Sequence, residues 1–253
     1  MTTPANPDSG LASHFIASPN FDERGESPVD VVVLHYTGMP EEQAALERLC
    51  DARAKVSSHY LVRESGEIVQ LVAEDNRAWH AGVSRWREAT DLNARSIGIE
   101  IVNPGHDGGC PLYPDVQVAA VIALTRDIAA RRAIPRDRVL AHSDIAPLRK
   151  QDPGEWFPWD RLAAEGVGLW VEPAPFSDEK FEANPREQDA FVEALATYGY
   201  GVALPDPRET KQAVIAAFQR HFRPARVDGR VDRSSIDTLL RLLMARQAMV
   251  ARS

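Results

Sequence analysis

Three short apolar runs constrain the fold more than any other feature of this sequence. They read VDVVVLH at 29–35, SIGIEIV at 96–102 and RVLAH at 138–142, and each has the composition of a buried β-strand. Amphipathic helical patterns lie between them, at 41–53 and 115–132. Because strands and helices mix along the chain, the sequence predicts an α/β fold with a mixed central β-sheet flanked by helices.

A hairpin signal and changes in composition complete the predicted organisation. Two further strands, at 58–63 and 67–72, flank a Glu-Ser-Gly turn, and the polar segment 73–95 is predicted to be irregular. The four predicted parts are an irregular N-terminal arm at 1–28, an α/β domain at 29–170, a Pro-containing linker at 171–185 and a small helical module at 186–253.

The helical module is predicted to be a small three-helix bundle. Its helical patterns lie at 186–197, 208–222 and 232–249. A bundle of this length buries little surface, so we expect it to lean on the α/β domain and to take no part in the chemistry. A chain ending near Val171 is therefore expected to keep its functional site. Helical spacing predicts a bundle core of Phe218, Phe222, Leu239, Leu240 and Leu243.

Charge and cysteine content exclude several classes of protein. The 253 residues carry a net charge of −8, which argues against a general nucleic-acid-binding protein. The charge is uneven, with +6 over 207–253 and −14 over 1–206. Two cysteines without a C-x-x-C pair argue against a disulfide framework and a cysteine-rich metal site. No leader pattern or long apolar run occurs, so no membrane span and a cytoplasmic location are expected. The oligomeric state stays open.

Two histidines end predicted strands, where α/β folds place their sites. His35 follows VVVL and His142 follows VLA, and Asp152 comes next in a loop that Pro147 and Pro153 keep irregular. A lone histidine at such a place is more often a structural residue near the core. Two imidazoles and one carboxylate, however, match a three-ligand zinc site whose fourth position is open, the pattern of a catalytic centre.

Two more charged residues have either a chemical or an ordinary role. Glu100 lies within the apolar run SIGIEIV, where it is either exposed on a half-buried strand or a buried general base with a raised pKa. Lys150 precedes Asp152 by two residues and could face the same side, where its ammonium would stabilise an oxyanion. The alternative for Lys150 is a solvated surface lysine.

These residues resemble a known family, the zinc-dependent N-acetylmuramoyl-L-alanine amidases, whose domain is shared with the peptidoglycan recognition proteins. The resemblance implies that His35, His142 and Asp152 are zinc ligands, with Glu100 as the catalytic glutamate and Lys150 assisting at the scissile carbonyl. It also implies hydrolysis of the amide between N-acetylmuramic acid, in ordinary or 1,6-anhydro form, and L-alanine of peptidoglycan fragments. The matching segments are VVVLHYTG, SSHYLVRESGEIVQLVAEDNRAWHAG, NARSIGIEIVNPG and VLAHSDIAPLRKQDPG.

Other residues in these segments are predicted to serve the substrate or the fold. Tyr36, Trp79 and His80 are candidate substrate contacts, although Trp79 could equally fill the core. His59 is expected to be structural or to line the site, and His106, in a Pro/Gly loop, is expected to be exposed. The C-terminal FQRHFRPARVDGRVDRSSIDTLLRLL resembles a peptidoglycan-binding-like module, and wall binding and an ordinary helical bundle both stay open.

Three rival functions are weighed against the amidase. A non-catalytic peptidoglycan recognition protein of the same fold would be indicated by loss of a metal ligand, and all three are present. A cysteine peptidase would need an activated Cys110, which lies in a Gly-rich loop rather than at a helix N-terminus. A serine hydrolase of the G-x-S-x-G type is disfavoured because the motif does not occur.

Overall fold

A six-stranded mixed sheet forms the centre of the protein. The computed structural model describes residues 6–176, 181, 183–202 and 207–251. The central sheet has the order β1-β5-β4-β7-β3-β8, and β2 and β6 form a separate antiparallel pair. The strands are β1 His14–Phe15, β2 Phe21–Glu23, β3 Val31–Tyr36, β4 Tyr60–Val62, β5 Ile68–Gln70, β6 Asn76–Ala78, β7 Ser96–Ile101 and β8 Val139–Ala141.

Eight α-helices accompany these strands in the described part of the chain. Most flank the sheet, and the last three belong to the C-terminal region. They are α1 Glu42–Cys50, α2 Leu92–Arg95, α3 Asp115–Arg132, α4 His142–Ile145, α5 Trp159–Ala164, α6 Pro185–Tyr198, α7 Arg208–Phe222 and α8 Arg233–Val250. No described helix is both long and apolar enough to cross a membrane.

The predicted fold class is confirmed. Strands β4, β7, β3 and β8 run parallel, whereas β5 pairs with β4 in antiparallel sense as the hairpin signal predicted. The central strands are covered on both faces, which is why their sequences read as continuous apolar runs rather than as alternating patterns. Helix α3 spans the predicted 115–132 and packs apolar side chains such as Val118, Val121 and Ile128 into one core cluster.

Two segments predicted to be irregular contain regular structure. Strands β1 and β2 lie within 1–28, and β6 and α2 lie within 73–95. One physical reason is the buried Arg24, whose guanidinium donates to five backbone carbonyls between Glu74 and Ser96, including those of Asn93 and Ala94. This long-range side chain, together with the pairing of β1 with β5 and of β2 with β6, therefore orders segments that carry no apolar periodicity.

The C-terminal helices and the sheet share one hydrophobic core. Side chains of β3 and β8, including Val33 and Leu140, belong to the same buried cluster as Leu195 and Phe218 of α6 and α7. The helices therefore pack directly on the α/β part. The predicted linker at 171–185 lies partly outside the described residues, at 177–180 and 182.

One predicted core position in α8 is wrong. Leu240 is 54% exposed, whereas Leu242 is fully buried beside Leu239. Apolar residues occupy nearly every position from Leu239 to Met244, so the spacing alone does not reveal which face of α8 turns inward. The buried face of α8 instead runs through Ser235, Thr238, Leu239 and Leu242. The predicted core positions Phe218, Phe222 and Leu239 are buried, and Leu243 is partly buried.

Glu74 provides a test of the electrostatics that hold α3 to the sheet. Its carboxylate accepts hydrogen bonds from Arg131, Arg132 and the Tyr60 hydroxyl. Burial alone would raise the pKa of Glu74, but these donors hold it at about 2. We expect Glu74→Gln to lower the free energy of unfolding by about 3 kcal/mol at neutral pH, because it removes one partner of a buried ion pair.

The pH dependence of that loss has a defined sign. A folded-state pKa below the ordinary 4.5 stabilises the protein above about pH 4.5, and this contribution disappears as the pH falls through about 2. Urea unfolding of both proteins across this range should show the difference shrinking in acid. A difference that does not change with pH would contradict the assignment of the effect to the Glu74 charge.

Candidate active site

The carboxyl ends of three neighbouring parallel strands bring three predicted site residues together. His35 is the penultimate residue of β3, Glu100 is the penultimate residue of β7, and His142 directly follows β8. The order β7-β3-β8 makes these strands adjacent, and His35 is the register partner of Glu100. All three side chains therefore lie at one edge of the sheet, the usual place for sites in α/β folds.

Asp152 joins the two histidines in a compact triangle of potential ligand atoms. His35 Nδ1 lies 2.8 Å from His142 Nδ1, and Asp152 Oδ2 lies 3.1 Å and 2.9 Å from these two nitrogens. The three residues are only 1%, 2% and 5% exposed. The Ser143 N–H donates to the Asp152 backbone carbonyl at 3.0 Å and holds the loop that carries Asp152 against the end of β8. Among the described residues, these three form the one group able to hold a metal ion.

Hydrogen bonding fixes the tautomer of His142. Its Nε2 lies 3.1 Å from the carbonyl oxygen of Ala81, and a carbonyl oxygen can only accept. Nε2 therefore carries the proton of the neutral ring, and Nδ1 presents a lone pair to the triangle. The guanidinium of Arg149 donates to the same Ala81 oxygen at 3.0 Å, which ties the loop carrying Asp152 to this support.

A relay of three hydrogen bonds fixes the tautomer of His35 in the same sense. The Ser96 hydroxyl donates to the Leu92 carbonyl, so its oxygen accepts from His80 Nε2–H at 3.1 Å. His80 Nδ1 is then the acceptor for His35 Nε2–H at 3.0 Å, which leaves a lone pair on His35 Nδ1. Burial lowers the pKa of His35 to about 4 and that of His80 well below its ordinary value, so both rings are neutral at physiological pH.

The triangle has the donor set of a transition-metal site. Two imidazole lone pairs and one carboxylate oxygen face one another within 3.1 Å. These three electron-rich atoms repel one another unless a cation lies among them. Nitrogen and carboxylate donors suit zinc, whose bonds to such atoms are about 2.0–2.2 Å long. Three protein donors also leave room for a water or substrate ligand. The residues present therefore fit a catalytic metal ion.

Glu100 adds a partly buried carboxyl group next to the triangle. Its Oε2 is shielded from solvent and has no hydrogen-bond partner. Burial raises the pKa of Glu100 well above its ordinary value, and the Asp152 carboxylate raises it further, while Lys150 opposes the shift. A carboxyl group with a raised pKa in a cleft is suited to taking up and returning a proton.

An open cavity covers these groups. Its wall also includes Met39, Arg48 and Ser57, which the sequence did not single out as site residues. The predicted residues that line it are His35, Trp79, His80, Glu100, His142, Lys150 and Asp152.

The structure places the three predicted substrate contacts differently. Trp79 lines the cavity and is held there by its indole N–H, which donates to Asp22 at 2.7 Å. His80 lines it too, but both of its ring nitrogens are engaged in the relay, which favours a positioning role. The Tyr36 hydroxyl points instead to His106 Nδ1, 3.0 Å away. The substrate contact through Tyr36 stays a prediction.

Two other histidines, His106 and His59, are held by hydrogen bonds to their neighbours. His106 was expected to be exposed, but it is partly buried because it bridges Tyr36 to Glu155, to which its Nε2–H donates at 2.9 Å. His59 is fully buried, and its Nδ1 accepts from the Gly98 N–H at 2.9 Å, a structural role.

The surroundings of Cys110 argue against the cysteine-peptidase alternative. The thiol is free and half-buried, and burial raises its pKa, which reduces the fraction of reactive thiolate at neutral pH.

The relay predicts a measurable role for His80. Gly98 makes room for its ring, since a Cβ at Gly98 would lie 2.5 Å from His80 Cγ. We expect His80→Phe to lower metal affinity by about 10- to 100-fold, because His35 loses the acceptor that sets its tautomer. Competition with a chromophoric chelator measures the affinity. Trp79→Phe, at the same cavity but outside the relay, is the control, and an equal loss in both variants would contradict the relay.

Comparison with known proteins agrees with this geometry. A family described as N-acetylmuramoyl-L-alanine amidase matches residues 25–155. The N-acetylmuramoyl-L-alanine amidase AmiD of Escherichia coli (strain K12) is 42% identical over 221 residues, covering 81% of this chain and 78% of the relative. The 1,6-anhydro-N-acetylmuramyl-L-alanine amidase AmpD of Haemophilus influenzae is 33% identical over 165 residues, covering 58% of this chain and 88% of the relative.

Solved structures give the same result. The complex of E. coli AmiD with its substrate anhydro-N-acetylmuramic acid-L-Ala-D-gamma-Glu-L-Lys has a TM-score of 0.77 at 36% identity, covering 89% of this chain and 92% of that chain. AmpDh3 from Pseudomonas aeruginosa, in complex with an anhydromuramic pentapeptide, has a TM-score of 0.74 at 33% identity, covering 90% and 94%. The resemblance in the sequence is thus confirmed, and the chain belongs to the N-acetylmuramoyl-L-alanine amidase family.

Proposed function

We propose that this protein hydrolyses the amide bond between the lactyl group of N-acetylmuramic acid and L-alanine in peptidoglycan fragments, with preference for the 1,6-anhydro form. The observation that carries the proposal is the meeting of a three-donor cluster and the partly buried Glu100 carboxyl in one cavity of an amidase-family chain. A protein that only binds peptidoglycan would need neither a complete donor set nor a proton acceptor beside it.

Zinc is the metal that we assign to the triangle. His35 Nδ1, His142 Nδ1 and Asp152 would hold it, since these are the three atoms that converge. Bound zinc supplies a Lewis acid that polarises the scissile carbonyl and lowers the pKa of a water molecule. Because Ala81 and His80 already fix both tautomers, the two imidazoles need lose no proton to present their lone pairs.

Glu100 and Lys150 complete the proposed reaction. Glu100 takes a proton from the attacking water and returns it to the departing amine, so the C–N bond breaks and L-alanine gains a free amino group. The lactyl carbonyl carbon gains the hydroxyl group of the water, and the resulting carboxylic acid gives its proton to the released amine, so the products are a carboxylate and an ammonium group. Lys150 lines the same cavity and donates to the oxyanion that develops on the scissile carbonyl.

The preference for anhydro fragments rests on the relatives. The AmiD and AmpDh3 structures both carry anhydromuramyl peptides, and AmpD is named for the 1,6-anhydro substrate. The experiment is to incubate the zinc-loaded protein with matched anhydro and ordinary muramyl peptides and to identify the products by mass spectrometry. We expect a free muramyl acid and a peptide beginning with L-alanine, formed faster from the anhydro substrate. Cleavage within the sugar or the peptide would contradict the proposal.

Replacing Lys150 should separate the rate from metal binding. We expect Lys150→Ala to lower kcat by about 10²-fold while zinc content is kept, because its target is the developing oxyanion. Lys211→Ala is the control, since Lys211 pairs with Asp189 and does not line the cavity. Loss of zinc from Lys150→Ala, with normal kcat in the remaining loaded fraction, would assign Lys150 to scaffolding.

The cytoplasmic location of the protein and the binding of its C-terminal module to the cell wall stay predictions, and each has its own test. A fusion to a reporter that is active only after export should be silent if the protein acts in the cytoplasm. Sedimentation with insoluble peptidoglycan tests whether the module at 186–253 binds the wall.

A further inference from the structure

The turn that presents His142 is anchored by one buried carboxylate, that of Asp144. Helix α4 is a single turn that begins at His142, and Asp144 is fully buried within it. Asp144 Oδ2 accepts from the N–H of Ala141 at 2.8 Å, directly before His142. The Asp144 side chain therefore sets the backbone from which one proposed zinc ligand projects.

The other partners of this carboxylate come from the C-terminal region. The Tyr200 hydroxyl donates to Asp144 Oδ1 at 2.7 Å, and His221 Nδ1–H donates to Asp144 Oδ2 at 2.7 Å. Tyr200 follows α6 and His221 lies in α7. His221 is clamped between two rings, with centroids 3.7 Å from Trp159 and 3.9 Å from Phe222. Two rigidly held donors from outside the α/β part thus fix the group that organises α4.

We propose that Tyr200 and His221 are positioning residues for the metal site, acting through Asp144 on His142. The proposal rests on the proposed function only in that the triangle binds zinc. The sequence predicts that the C-terminal helices take no part in the chemistry. The hydrogen bonds of Asp144 assign them a defined part in building it, beyond covering apolar surface.

A second contact between the same parts of the protein offers a matched control. Arg246 of α8 donates to Asp137 at 3.1 Å, and Asp137 also accepts from Arg87. Asp137 lies just before β8, whereas His142 lies just after it. Breaking the Arg246 contact therefore weakens the packing of the C-terminal region at the opposite end of the same strand, away from the ligand turn.

The variants are chosen to remove single atoms or single donors in the full chain. Tyr200→Phe removes only the hydroxyl. His221→Phe keeps a flat ring between Trp159 and Phe222 but removes the donor, and His221→Asn restores an N–H near the position of Nδ1. Arg246→Met is the control, which loosens the contact between the two parts without touching Asp144.

Zinc affinity, measured by chelator competition, and the visible spectrum of the Co²⁺-substituted protein are the readouts, with the unfolding temperature measured in parallel. We expect Tyr200→Phe and His221→Phe to lower zinc affinity by about 10- to 100-fold and to alter the Co²⁺ spectrum, with His221→Asn recovering most of the loss. Arg246→Met should lower the unfolding temperature and leave affinity and spectrum unchanged.

Other results would overturn the proposal. Unchanged affinity in Tyr200→Phe is sufficient to do so, even if His221→Phe fails to fold. An equal loss of affinity in Arg246→Met would mean that the C-terminal region only braces the whole fold. Because zinc affinity is measured without substrate, a wild-type protein that binds zinc but cleaves no muramyl peptide would defeat the proposed function and leave this inference standing.

Discussion

Replacing His142 by alanine should abolish amide hydrolysis together with zinc binding. The variant loses one of three converging donors and leaves His35 and Asp152 as an incomplete pair. Two ligands hold zinc far less tightly than three, and catalytic zinc sites keep three protein ligands. We expect no stoichiometric zinc after dialysis and activity at the background rate, measured by metal analysis and by product formation from an anhydromuramyl peptide.

The control for this variant is another histidine. His14 is largely exposed, pairs with Glu67 and does not line the cavity, so His14→Ala should keep both zinc and activity. Full zinc content in His142→Ala would show that the triangle is not the metal site, whatever happens to the rate.

Glu100→Gln should keep zinc and lose most turnover. Glutamine has nearly the same shape as glutamate but cannot accept and return a proton, and removing a general acid–base group costs about 10²- to 10⁴-fold in rate. Because Oε2 of Glu100 has no hydrogen-bond partner, the amide should fit without displacing an existing contact. We expect a fall in kcat of at least about 10²-fold with substrate affinity largely kept.

Glu88→Gln is the matched control, since the Glu88 side chain is 98% exposed and does not line the cavity. Near-normal kcat in Glu100→Gln would make Glu100 a bystander and would leave the reaction without a proton acceptor among the proposed residues.

The sequence predicted that His35 and His142 would come together because each follows a buried strand. Apolar runs reveal where buried strands stop, and parallel strands place those ends at one edge of the sheet. His35 and His142 could therefore be grouped although they are 107 residues apart, whereas Glu100, inside the run SIGIEIV, kept an exposed position as an alternative. Helix α3 was equally predictable because its helical pattern covers 115–132, the same residues as the helix itself.

The supporting contacts could not be read from the sequence. Asp144 accepts hydrogen bonds from Tyr200 and His221, which are 56 and 77 residues away along the chain. No local sequence pattern predicts either contact. The role of His80 depends on which atom each ring nitrogen meets, which follows only from the fold. In both cases the missing information is which atoms the fold brings together, and residue type does not provide it.

The most direct test of the account is a zinc titration of activity. The protein is first stripped with a chelator, then given zinc in fractions of one equivalent, and the release of L-alanine-terminated peptide from an anhydromuramyl peptide is followed by mass spectrometry. If His35, His142 and Asp152 hold one catalytic zinc, the rate rises from background in proportion to zinc and levels off at one equivalent per chain. Full turnover by the metal-free protein would contradict the account.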